Sequence, residues 1–259
     1  MTALRLLAAL LAAAALVAAG CGSSGGAQGS GAARPDLVVS AAASLKGAFT
    51  QYGSQFAPAR ARFSFAGSDE LAAQIRQGLK PDVFASANTK LPDALFAEGL
   101  VERPAVFAAN RLVLAVPAGG AKVASLRDLA GPGIAIAVGS PSVPVGAYTR
   151  KVLSGLPAGE RRAILAHVRS EEPDVAGVVG KLTQGAVDAG FVYVTDVKAA
   201  GGRLRAIELP AQLQPRVAYG VAVVRGARHP AQAREFIRGL VAGAGQRDLR
   251  EAGFEPPPS

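Results

Sequence analysis

From Asp36 onward the chain alternates short apolar runs with stretches whose apolar residues recur every three or four positions. Residues 37–40 read as a short buried strand, after which Leu45, Ala48, Phe49, Tyr52 and Phe56 fall on one helical face. Residues 62–65 predict a second strand, Leu71, Ala72, Ile75 and Leu79 a second helical face, and residues 83–85 a third strand. Strand, helix and strand in succession predict a mainly parallel sheet with helices on both faces. Ligands of such sheets sit beyond the carboxyl ends of the strands.

A second unit of the same α/β kind begins with the apolar run at residues 112–117. It continues with a strand at 134–138, helical stretches near 145–153, 158–168 and 175–182, and a strand at 191–194. The apolar run 217–224 leads back, and an amphipathic helix at 231–241 follows. Two crossings predict two lobes, the first built from both ends of the chain: 36–113 with 219–259, and 114–218 between them. No internal repeat of solenoid length is present in the pattern.

The first residues belong to a different category. Residues 1–20 carry one basic residue, Arg5, then an apolar run, and finish in Val17-Ala18-Ala19-Gly20 before Cys21. The run falls short of the roughly 20 residues needed to span hydrocarbon, so it reads as a signal peptide. Small residues directly before a cysteine resemble a lipobox, which implies cleavage before Cys21 and lipid attachment to its sulfur. Cys21 is the only cysteine, so no internal disulfide can form. Residues 22–31 are dominated by Gly and Ser, and the stretch 21–35 reads as a lipidated cysteine followed by a flexible tether.

Charge narrows the partners. The formal net charge is +9, with 28 Lys and Arg against 19 Asp and Glu, and removal of Arg5 lowers it by one. Such a surface attracts anions at long range. The export signal, the scarcity of aromatic residues and the dispersal of the basic ones argue against a nucleic-acid partner.

Two segments carry the chemistry. Ala41-Ala42-Ala43-Ser44-Leu45 and Phe65-Ala66-Gly67-Ser68-Asp69-Glu70-Leu71 each follow a short strand and place a serine at a predicted helix start, where backbone N–H groups lack intrahelical partners. Hydroxyls and free N–H groups converging on one crevice make an oxyanion site. Pro81-Asp82-Val83-Phe84-Ala85-Ser86-Ala87, Gly139-Ser140-Pro141-Ser142-Val143-Pro144-Val145-Gly146, Pro173-Asp174-Val175 and Gly190-Phe191-Val192-Tyr193 follow in order. Together, from about Leu37 to Phe254, these segments resemble the molybdate-binding proteins of bacterial ABC importers.

The resemblance implies a two-lobed periplasmic-binding-protein fold, each lobe a mixed, mainly parallel sheet flanked by helices, with the ligand in the cleft between them. It implies no enzyme activity and no cofactor: the cargo would be molybdate or tungstate, passed to an ABC permease with its ATPase by a monomer tethered to the membrane through Cys21. Carried over by position, the ligand residues are Ser44 and Ser68 from one lobe, and the N–H groups of Val145 and Val175 with the phenol of Tyr193 from the other. Cationic metal ligands are not implied. Pro144 and Pro173 fix φ near these helix starts, which suits positions that aim the amides after them. Asp69 departs from the pattern, since relatives often carry a small neutral residue there; it is expected to point outward and cap its own helix.

Other chemistries find little support. His167 and His229 show no metal-ligand spacing and read as surface residues, residues 177–183 lack the full phosphate-loop pattern, and residues 139–142 do not make a nucleophile elbow. Arg111 reads as part of a dispersed positive surface. The alternatives are a carrier of sulfate or phosphate, a secreted hydrolase using Ser44 or Ser68, and a structural lipoprotein without ligand.

Overall fold

The computed structural model describes residues 34–120 and 122–257; the signal peptide, Cys21 and most of the tether lie outside them. Strand β1 (Asp36–Ala42) pairs in parallel with β2 (Arg60–Ala66) on one side and β3 (Val83–Ser86) on the other. Helices α1 (Lys46–Gln55) and α2 (Ser68–Arg76) make the two crossovers, and α3 (Lys90–Ala97) follows β3. β10 (Val217–Val223) then runs antiparallel between β3 and β4 (Ala105–Asn110), giving the order β2-β1-β3-β10-β4.

The second sheet repeats this plan. β6 (Ile136–Gly139) is parallel to β7 (Val168–Glu172) and β8 (Ala189–Tyr193), while β5 (Leu112–Pro117) runs antiparallel between β8 and β9 (Leu204–Glu208). The order is β7-β6-β8-β5-β9. Helices α4 (Pro144–Ser154), α5 (Ala158–Ala166), α6 (Val175–Thr183) and α7 (Val194–Ala199) flank it. The chain passes from first sheet to second at Asn110 and Arg111, and returns through residues 209–216, so β5 and β10 each lie wholly in one sheet.

The first sheet is closed by both ends of the chain. Phe49 of α1 packs its ring 5.8 Å from Phe236 of α8 (Pro230–Ala242) and 5.9 Å from Phe107 of β4. Both partners are fully buried, and truncating such a ring typically costs about 3–5 kcal/mol. α9 (Ala244–Ala252) completes this layer. Asp82, 2 % exposed, fastens the sheet to α8: its carboxylate accepts the Val38 N–H and the His229 N–H, each at 2.8 Å.

Some boundaries differ from the pattern. α2 stops at Arg76, because Gly78 turns the chain with φ +99°, and Leu79 is left exposed instead of on the helical face. Val168 opens β7 and does not end a helix. The histidines are half-buried, with His167 Nδ1 2.8 Å from the Leu129 carbonyl.

Candidate anion site

The carboxyl ends of the parallel strands of both sheets meet at one small cavity. β1 delivers Ala42, Ala43 and Ser44; β2 delivers Ala66, Gly67 and Ser68; β3 delivers Ala87. The second sheet answers with Val143, Pro144 and Val145 after β6, Asp174 and Val175 after β7, and Tyr193 at the end of β8. The five residues singled out by the sequence, Ser44, Ser68, Val145, Val175 and Tyr193, all line it. No Lys or Arg does.

The cavity offers about 20 Å³ to the centre of a water-sized sphere. Treated as a sphere, with the roughly 1.4 Å water radius added back, that space admits a body of about 3 Å radius. One tetrahedral oxyanion has that size.

The serines are not helix caps. Ser44 sits in a 3-10 turn, Ala43–Leu45, and neither that turn nor α1 has a side-chain cap bond. Its Oγ is 3.0 Å from the Tyr219 hydroxyl. Ser68 is the first residue of α2, behind the cap residue Gly67, and its Oγ accepts the Ala87 N–H at 3.1 Å. A serine has one proton to give, so Ser68, already accepting, has its proton free as a donor.

The two valines act through the backbone. Val145 is the second residue of α4, after Pro144, and Val175 is the first of α6, so neither N–H has an intrahelical acceptor. α4 can start this close to β6 only because Gly146 lacks a side chain: a Cβ there would lie inside the contact distance of the Gly139 and Ser140 carbonyls. Asp174 caps α6, accepting the Gly177 N–H at 2.9 Å on Oδ1. That engagement turns one oxygen of Asp174, the only carboxylate among the described lining residues, toward its helix.

Tyr193 is 1 % exposed, and its hydroxyl has no hydrogen-bond partner. Burial, and then the neighbouring Tyr219, hold its phenol well above the usual tyrosine range, so it stays neutral and keeps a proton to donate. Its backbone N–H goes to Asp196 Oδ2 at 2.9 Å, and burial lifts that carboxyl to about 7. A buried, unpartnered hydroxyl costs about 1–3 kcal/mol until something accepts from it.

Asp69 corrects the expectation made for it. It makes no cap bond to α2, and its Oδ1 is buried without a partner, beside Gly67 and outside the residues that line the cavity. Arg111 pairs with Glu208 at 3.0 Å and Glu255 at 3.1 Å, all three partly exposed. Sequence reasoning missed Tyr219 and Asn110, which stand behind Ser44. Neither serine hydroxyl is bonded to a group able to serve as a general base for a hydrolase: their partners are a phenol and a backbone amide.

The family model for bacterial extracellular solute-binding proteins matches residues 37–255. The chain belongs to that family. It is 39 % identical over 227 residues to the molybdate-binding protein ModA of Mycobacterium tuberculosis strain H37Rv, covering 85 % of each chain. To ModA of Haemophilus influenzae it is 31 % identical over 236 residues, 86 % of this chain and 91 % of that one. Among solved structures, the periplasmic molybdate-binding protein of Azotobacter vinelandii superposes with a TM-score of 0.77 at 23 % identity, covering 86 % of this chain and all of that one. The fold of this solute-binding protein is therefore the two-lobed α/β type, and its relatives bind solutes; they are not enzymes.

Proposed function

We propose that this protein captures molybdate, and tungstate of similar size, outside the cytoplasm and delivers it to an ABC permease with its ATPase. The unpartnered Tyr193 hydroxyl carries the reading, because it lies buried on a cavity of oxyanion size where Ser68 and two helix starts also present donors. Donors without lining cations suit a fully deprotonated dianion held by charge-assisted hydrogen bonds and by the positive ends of α4 and α6. Relatives that are named for molybdate binding support the choice of cargo.

In this reading Ser44, Ser68, the Val145 and Val175 amides and Tyr193 are the ligand groups. Because they come from both sheets, a bound anion bridges the lobes and favours the closed state over the open one. The lobes meet at the two crossings, and sheet membership favours Asn110–Arg111 and residues 209–216, a few positions ahead of the 113/114 and 218/219 limits. Cys21 anchors the protein to the membrane and it works as a monomer.

Calorimetric titration with molybdate, tungstate, sulfate and phosphate tests the proposal. Molybdate and tungstate should compete for one site and outcompete sulfate, whose shorter bonds leave longer hydrogen bonds in the same cavity. Tight phosphate binding without molybdate binding would overturn the reading.

A further inference from the structure

Behind Ser44 the hydrogen bonds continue into the protein, and counting protons gives them a direction. Asn110, 3 % exposed at the end of β4, accepts the Arg111 N–H on Oδ1 at 2.9 Å, which orients its amide. Its Nδ2 then donates to Thr195 Oγ1 at 2.8 Å and points its second hydrogen at the Tyr219 hydroxyl, 3.4 Å away. Tyr219 is fully buried. Burial, and then Asp196, keep its phenol well above the ordinary tyrosine range, so the hydroxyl holds its proton. With a donor facing its oxygen, that proton turns to Ser44 Oγ at 3.0 Å. Ser44, now an acceptor on its protein side, has its own proton left for the cavity.

We propose that Tyr219 and Asn110 are positioning residues that hold Ser44 as a hydrogen-bond donor toward the anion, through a relay running Asn110 to Tyr219 to Ser44. The inference rests on the reading of the cavity as an oxyanion site and deepens it. A serine free to rotate could accept as well as donate, and would tolerate a protonated anion. One locked by the relay offers a donor only, which favours a dianion over its protonated form. The relay also links the two sheets: Asn110 ends β4 of the first, and Thr195 lies in α7 of the second, next but one after Tyr193.

The test is a double-mutant cycle on molybdate affinity, with the thermal midpoint of each ligand-free variant measured alongside. Tyr219→Phe keeps the ring, which packs edge-on to Tyr193, Phe107 and Phe254, and removes only the hydroxyl. Affinity should fall roughly tenfold in Tyr219→Phe, and Ser44→Ala with Tyr219→Phe should bind no more weakly than Ser44→Ala alone. In Tyr219→Phe the preference for molybdate over phosphate should also narrow, a change that general loosening of the fold would not produce. Asn110→Ala, which breaks the relay one step further back, should repeat the pattern and serves if Tyr219→Phe does not fold. Independent, multiplying losses from Ser44 and Tyr219, or unchanged affinity in Tyr219→Phe, would overturn the relay. Absence of molybdate binding in the wild-type protein would instead sink the reading of the site.

Discussion

Gly67 of the first lobe faces the Pro173 carbonyl so closely that a Cβ on Gly67 would stand 2.5 Å from the Pro173 oxygen. The contact joins the residue before Ser68, which lines the cavity, to the segment that leads into Val175. Gly67 has φ −59°, so its role is close approach and not an unusual backbone. Gly67→Ala should therefore fold normally and resist closure, because a carbonyl cannot rotate aside as a side chain can. We expect molybdate affinity at least about tenfold weaker with little change in the ligand-free thermal midpoint. Equal affinity would mean that the lobes need not meet here to hold the anion.

Ser44→Ala and Ser68→Ala should each weaken molybdate binding by roughly 10- to 150-fold, the loss of one donor to a charged acceptor at about 1.5–3 kcal/mol. Each should also lower stability by about 1–3 kcal/mol, because Ser68→Ala strands the buried Ala87 N–H and Ser44→Ala takes away the acceptor of the buried Tyr219 hydroxyl, to which Asn110 can only donate. Titration and thermal melts on both variants check this, and unaltered affinity in both would remove the serines from the ligand set.

The five ligand candidates were legible because each occupies a strand-to-helix junction with a short, distinctive sequence. Tyr219 was not, since it lies inside the apolar run 217–224 and reads as one more core residue; its hydroxyl's partner is Ser44, far away in sequence. The only local signal was Asn110, a polar residue that ends the otherwise apolar Ala105–Asn110. β7 was missed for the opposite reason. Val-Arg-Ser-Glu-Glu is an edge strand paired only with β6, and its polar residues carry no alternation for a pattern to find. Asp69 failed because helix-start chemistry predicts a cap, whereas its Oδ1 is buried without a partner beside Gly67, at a contact between segments far apart in sequence.

Asp196 should make stability depend on pH in the direction opposite to most carboxylates. Its folded pKa, about 7, lies above the ordinary aspartate value of 3.8 because the carboxyl of this half-buried residue is desolvated. Between those values the unfolded chain has lost the proton and the folded protein still holds it, so stability falls as pH rises from about 4 and levels off above 7. The contribution is on the order of 2–4 kcal/mol. Asp196→Asn keeps an acceptor for the Tyr193 N–H but cannot ionise. Chemical unfolding at pH 5 and pH 8 should show the variant gaining on the wild type at the higher pH; a constant difference would mean that Asp196 does not titrate there.

Cys21→Ser should abolish lipid attachment, because the chain has no other thiol. Protein made from Ser23 onward should be recovered without detergent and bind molybdate as the wild type does, since the described fold starts at Arg34. Mass spectrometry of the Cys21→Ser protein from membranes decides the point: a retained diacylglycerol would refute the anchor.

Asp69 provides the sharpest separation of molybdate from phosphate. Its Oδ1 is buried without a hydrogen-bond partner, and both it and the Pro173 carbonyl oxygen lie within 3 Å of where a Cβ on Gly67 would stand, so an unpaired acceptor sits at the lobe contact. Burying such an acceptor unpaired costs about 1–3 kcal/mol, and closure is the step that buries it. Asp69→Asn removes the charge from that unpaired acceptor and, with its amide turned, offers a donor at the same contact. The variant should bind molybdate as well as the wild type or up to about tenfold more tightly, uniformly from pH 6 to pH 8. If Asp69 instead took a proton from the ligand, the same substitution would destroy phosphate binding and leave molybdate behind. A loss of molybdate binding beyond about tenfold would be the damaging result, because it would require a second carboxylate, besides Asp174, in a site whose ligand groups are arranged to donate.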